Sequence, residues 1–110
     1  MNVKEIIEKL QLTALSGQNN LDAEVTGGYT SDLLSDVIAN SKEGNLWITL
    51  QVHQNTVAVA KLKDLAGIII VNNREPDEDT LKKADEENVP ILCSNDMAFD
   101  VSGKLYELIS

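Results

Sequence analysis

The run Gly67-Ile68-Ile69-Ile70-Val71 has no polar face. A half-buried strand alternates apolar and polar side chains, so four consecutive β-branched residues call for cover on both sides. That is the environment of a central strand with helices packed on each face of its sheet. The chain leaves this strand straight into the polar stretch Asn72-Asn73-Arg74.

Strand-type and helix-type patterns alternate around that run. Upstream, Val3, Ile6, Ile7 and Leu10 follow the spacing of an amphipathic helix behind an N-cap at Asn2. Leu12 to Leu15 reads as a brief strand and Ser16 to Asn20 as a polar turn. Glu24 to Tyr29 reads as an extended segment with Gly27-Gly28 in or just after it. Leu33, Leu34, Val37 and Ile38 form one helical face behind a start signal at Thr30-Ser31-Asp32. The segment Asn40 to Asn45, with Gly44, stops that helix, and Leu46 to Leu50 has high strand propensity at nearly every position.

Helix pattern returns from about Thr56 to Leu65, with Val57, Ala58, Leu62 and Leu65 as burial candidates and Gly67 as the expected stop. Pro76 and the acids Asp77, Glu78 and Asp79 suit the first turn of a further helix. Its apolar stripe is only Leu81 and Ala84, which predicts the most exposed helix. Val89 to Cys93 is a last strand, with Pro90 permitted at its beginning. Ala98, Val101, Leu105 and Leu108 share one side of the closing helix. The order implies right-handed crossovers and an α/β, three-layer-like domain with a mostly parallel central sheet of about five strands. A length of 110 residues is that of one domain, expected to span 1–110.

A formal net charge of -9 repels phosphate backbones and anionic headgroups, which argues against nucleic acid and membrane surfaces as partners. No basic cluster offsets it. The single cysteine, Cys93, and single histidine, His53, supply neither a disulfide nor a zinc set, so no metal site is expected and a reducing, cytoplasmic setting fits. Met1 to Leu10 is too charged for a signal peptide core, and no apolar run approaches the roughly 20 residues of a membrane helix. The G-x-x-x-x-G-K-[ST], G-x-S-x-G, C-x-x-C and H-E-x-x-H patterns are all absent, which leaves an enzyme without its usual parts and gives no reason to expect a cofactor.

Ligands of parallel sheets bind beyond the carboxyl ends of the strands, and the loops Gly27 to Asp32, Gln51 to Thr56 and Asn72 to Glu75 are placed there. Gly27 and Gly28 let backbone amides approach an anion, with Thr26, Thr30 and Ser31 hydroxyls beside them, although a turn or bulge explains two glycines equally. His53 sits among Gln51, Asn55 and Thr56, a polar set suited to a small ligand or a partner's backbone. General acid or base work would need an acidic partner distant in sequence. Arg74 can clamp an anion or form a surface ion pair with Glu75 or Asp77. Cys93 reads as an inert core thiol.

The stretch Leu21-Asp22-Ala23-Glu24-Val25-Thr26-Gly27-Gly28-Tyr29-Thr30-Ser31-Asp32, with Leu33 to Val37 after it, resembles the signature region of DRTGG domains. Leu46 to Gln51 and Ala66 to Val71 also resemble that family's later strands, so the resemblance spans nearly the whole chain. Thr26, Gly27 and Gly28 match the family's TGG, while Glu24-Val25 stand where it has Asp-Arg. The resemblance implies an α/β domain related to the N-terminal region of HPr kinase/phosphorylase, with a regulatory or dimerising role. Similar free-standing chains occur near iron hydrogenase and iron-sulfur proteins. A serine kinase activity is not implied, because the kinase's P-loop is missing here. The leading expectation is therefore a non-catalytic regulatory module that binds a small anionic metabolite or adenine nucleotide at Thr26, Gly27, Gly28, Thr30, Ser31, Gln51, His53, Asn55, Thr56 and Arg74, as a homodimer. The alternatives are an interaction module docking on a metabolic or iron-sulfur enzyme through Val37, Ile38, Trp47 or the closing helix, and a small hydrolase or transferase using His53.

Overall fold

The computed structural model describes all residues, 1–110, as a five-stranded sheet between two helical layers. In chain order the elements are α1 (Val3–Leu10), β1 (Thr13–Ala14), a short 3-10 turn (Gln18–Asn20), β2 (Gly27–Thr30), α2 (Leu34–Asn40), β3 (Asn45–Thr49), α3 (Asn55–Leu62), β4 (Gly67–Ile70), α4 (Glu78–Glu86), β5 (Ile91–Cys93) and α5 (Ala98–Ile109). The strand order is β1-β5-β4-β3-β2. Strands β2 to β5 are parallel neighbours in sequence order, and β1 runs antiparallel beside β5.

Because the parallel strands step across the sheet in one direction, right-handed crossovers place α2, α3 and α4 on the same face. Alternation within the strands divides the core accordingly. Trp47, Ile68, Ile70 and Ile91 pack with Val37 of α2, Val57 of α3 and Ala84 of α4. Leu46, Ile48, Ile69 and Leu92 pack with Val3 and Ile6 of α1 and Val101 and Leu105 of α5. The Ile-rich run is central, as its pattern required, and each of its four side chains is fully buried.

Local chemistry explains most boundaries. Asn2 and Glu5 form a reciprocal capping box on α1, and Gln11 ends it in a left-handed conformation at φ 55°. The helix expected behind Thr30-Ser31-Asp32 starts later, at Leu34, since Asp32 caps the end of β3 instead: its Oδ1 accepts from Thr49 Oγ1 at 2.8 Å and from the Leu50 amide at 2.7 Å. Leu33 is consequently 63% exposed rather than part of the packed face. Helix α3 stops at Leu62, where Asp64 adopts φ 51°, so Gly67 is not its stop but the first residue of β4. Leu62 is 67% exposed, and Val59 and Ala60 take the buried positions assigned to Leu62 and Ala58. Trp47 and Val37, expected as docking residues, are fully buried; the Trp47 Nε1–H donates to the Ser31 carbonyl at 2.7 Å, the polar partner a buried indole needs.

Two hydrogen-bonded clusters hold the ends of the sheet. Tyr29 on β2 donates its hydroxyl to Asp36 Oδ1 of α2 at 2.9 Å, and Asn40 Nδ2 donates to the same oxygen at 2.8 Å. The Ser31 hydroxyl, then Asn40 and Tyr29, hold the Asp36 carboxyl below its ordinary range, and Asp36 in turn raises the Tyr29 phenol. At the other edge, buried Ser16 donates its hydroxyl to the Val89 carbonyl at 2.8 Å and accepts from the Ile91 amide at 3.0 Å, tying the first turn to β5.

Gly17 follows in this junction at φ 65°, and a Cβ there would stand 2.4 Å from Pro90 N. Gly103, in the middle of α5, has nothing within 4 Å of the same position. Gly17→Ala is expected to cost at least about 2 kcal/mol through overlap and backbone strain, a fall in Tm on the order of 10 °C. Gly103→Ala should stabilise by up to about 1 kcal/mol, because it removes only a helical glycine. Thermal denaturation of the two variants checks both, and equal effects would contradict the packing described here.

Candidate functional site

Open parallel sheets bind ligands where neighbouring strands send their connections to opposite faces. Here that crossing lies between β4, which leads to α4, and β5, which leads to α5 on the other face. The two loops are tied together at this point. The Asn72 amide donates to the Asp96 carbonyl at 2.8 Å and the Asn73 amide to the Ser94 carbonyl at 3.0 Å. Both asparagines take left-handed conformations, at φ 62° and 54°, to make these bonds. None of the four cavities in the structure is lined by the 71–77 or 94–97 loops.

The candidate residues separate into two groups. Thr26, Gly27, Gly28 and Thr30 line a cavity of about 460 Å³ between β2 and α5. Gly27 and Gly28 lie inside β2, paired with Asn45 and Leu46, so the loop expected over Gly27 to Asp32 begins only after Thr30. The rest of the set, Ser31, Gln51, His53, Asn55, Thr56 and Arg74, stands at or beyond the carboxyl ends of the strands, away from this cavity.

That second group is largely occupied with itself. Ser31 Oγ accepts from the Leu33 amide, and Gln51 Nε2 donates to the Asp32 carbonyl at 2.7 Å. Buried Thr56 donates its hydroxyl to the His53 carbonyl at 2.7 Å, fastening the start of α3, and Asn55 is the exposed first residue of that helix. Arg74 is exposed and lies in no ion pair, so the surface bridge to Glu75 or Asp77 does not form; its carbonyl accepts weakly from the Cys93 thiol at 3.9 Å. Burial, with the Glu75 carboxylate adding to it, pushes that thiol up in pKa and away from the reactive thiolate.

His53 does have an acidic partner, from a part of the chain that its sequence neighbours do not show. Asp77, at the N-cap of α4, places Oδ2 2.9 Å from His53 Nδ1. The Asp77 amide donates to the Val52 carbonyl and Thr80 Oγ1 to the same carbonyl at 2.7 Å, which holds the two loops in register. The pair is open to water, with the His53 side chain 66% exposed, and neither residue lines a cavity. No three metal-ligating side chains gather anywhere in the structure.

The β2–α5 cavity has a different character. Helices α1 and α5 are the only helices on this face of the sheet, and α5 lies over β2 and β3. A Cβ at Gly28 would stand 2.8 Å from Leu105 Cδ2, so the glycine allows the helix its close approach. Two residues further along the strand, Thr30 Oγ1 meets Ser102 Oγ of α5 at 2.7 Å. Leu105, Ile109 and Ile48 supply apolar wall and Tyr106, 74% exposed, an aromatic side. No lining residue carries a charged side chain. Sequence reasoning missed the α5 contribution because Val101, Leu105 and Leu108 account for that helix as a packing face. The signal was Ser102, Tyr106 and Ile109, one step around the same helix.

The fold and cavity define a small three-layer α/β domain with a ligand-sized recess at the edge of its sheet. The structure is similar to the CBS and DRTGG domain part of the regulatory region of Clostridium perfringens pyrophosphatase, solved with its activator diadenosine tetraphosphate, with a TM-score of 0.73 and 13% sequence identity. The match covers 96% of this chain and 46% of that one. At that identity the likeness is one of fold. No protein-family model and no curated protein matches the chain. No helix is long and apolar enough to cross a membrane.

With its Nδ1–H donated to Asp77, neutral His53 should keep Nε2 free as an acceptor. Long-range ¹H–¹⁵N spectra are expected to show a protonated Nδ1 and an unprotonated Nε2, with Asp77→Asn weakening that preference. A dominant Nε2–H tautomer in the native chain would contradict the pairing.

Proposed function

We propose that this chain is a non-catalytic regulatory module of the DRTGG type, a single domain over residues 1–110, that binds an adenine nucleotide or related metabolite in the β2–α5 cavity. The observation that carries the reading is the convergence of Thr26, Gly27, Gly28 and Thr30 on a recess of about 460 Å³. That is the size range of small-molecule sites, and its mix of apolar wall and a few hydroxyls is their usual composition. Two further facts support it: the resemblance of this segment to the DRTGG signature, and the fold shared with a regulatory region solved with a dinucleotide activator. The strand-end loops are the weaker location, because none of the candidate residues there other than Thr30 lines a cavity and several of their amides and side chains bond within the loops. Catalysis through His53 has little to support it, since the imidazole and the carboxylate are both exposed and neither lines a recess that would hold a substrate.

A homodimer is part of the proposal. Strand β2 is the sheet edge, with one row of main-chain groups unpaired, and Gly27 to Thr30 contain no charge, lysine or proline to guard it. In a chain of net charge -9, an uncharged edge is where a second copy meets least repulsion. Docking on a larger metabolic enzyme is the second reading, favoured by Phe99, 88% exposed at the start of α5. The cytoplasm is the compartment proposed for either role.

A thermal-shift titration with AMP and diadenosine tetraphosphate tests the main reading. Ligand at 100 times its Kd should stabilise the native state by about 2.7 kcal/mol, several degrees in Tm. Ser102→Leu, which fills the recess from a helical position, should abolish the shift and leave the ligand-free Tm within a few degrees. No shift in the native chain, or the same shift in the variant, would contradict the assignment.

A further inference from the structure

We propose that the β2–α5 cavity holds the uncharged base of its ligand and leaves any phosphates outside, so that the site recognises a nucleoside as well as it does a nucleotide. This rests on the cavity being the ligand site. It departs from the expectation of an anion at the glycine segment, and electrostatics is the reason.

Phosphate sites are built from lysine or arginine, or from the amides at a helix N-terminus. The cavity has neither. None of its lining residues has a charged side chain, and the part of α5 that reaches it runs from Ser102 to Ile109 and Ser110, away from that helix's N-terminus. The last turn of a helix presents carbonyl oxygens and partial negative charge. A phosphate there meets acceptors with its own acceptors, inside a chain of net charge -9. An amide or exocyclic amine meets partners.

The hydrogen-bonding groups point the same way. Thr30 and Ser102 share one proton between their oxygens at 2.7 Å, so the pair still has a hydroxyl proton to give and lone pairs to accept with. A nucleobase carries donors and acceptors side by side on one planar edge, whereas a phosphate has oxygens only. Leu105, Ile48 and Ile109 supply the dry surface that a flat ring buries, and the Tyr106 ring is exposed beside them for stacking.

Isothermal titration of the native chain with adenosine, guanosine, AMP, ATP and inorganic tripolyphosphate tests the inference. The expected result is that one nucleoside binds within about threefold of its monophosphate. ATP should bind no tighter than adenosine at low salt, with the gap narrowing as salt is raised, and tripolyphosphate should neither bind nor compete. Affinity that climbs tenfold or more from adenosine to ATP, or competition by tripolyphosphate, would overturn the inference and leave the cavity standing as a ligand site if Ser102→Leu still removes binding. Absence of binding by all five probes would overturn both.

Discussion

Strands β3 and β4 must be covered on both faces, and the rest of the architecture follows from that requirement. Leu46 to Thr49 and Ile68 to Ile70 are buried throughout, so helices have to lie above and below them. The parallel order β2 to β5 sends all three crossover helices to one face. Only the outer helices α1 and α5 remain for the other, and two helices do not span five strands. The edge strand β2 is therefore left partly uncovered where α5 passes it, and the recess sits there. Its position is a consequence of winding direction and helix supply, with Gly28 setting how close α5 comes.

Most of this architecture can be read from residue patterns. The Ile68 to Val71 run marks the sheet centre, the α1 spacing and its capping box mark the first helix, and Ala98, Val101, Leu105 and Leu108 mark the packing side of the last. The exceptions share a physical cause. Asp32, Asp64 and Asn72 were open to local roles and took ones decided by distant partners or backbone conformation: Asp32 caps β3, Asp64 closes α3 in a left-handed turn, and Asn72 bonds across to Asp96. Trp47 and Val37 read as available apolar surface, but they face the layer that three helices build, which only the strand order reveals.

The candidate site was legible in part for a related reason. The Thr26 to Thr30 segment stands out by its glycines, yet whether those glycines lie in a strand or in the loop after it depends on a register that pairing with β3 sets. In the loop they would serve an anion. In the strand they make room for a helix. The His53 and Asp77 contact was illegible because 24 residues separate the partners, and only the docking of the α4 N-terminus on the β3–α3 loop joins them. That contact orders two loops, while the recess lies across the sheet edge with α5.

The proposed ligand site lies at the uncovered edge of the sheet and not at the strand ends. Mapping ¹H–¹⁵N chemical-shift changes during titration with adenosine measures that placement directly. The largest changes are expected on Gly27 to Thr30 and on Ser102 to Ser110, with the amides of Gln51 to Thr56 and Asn72 to Glu75 little affected. Changes concentrated in those two loops, with β2 and α5 silent, would contradict it.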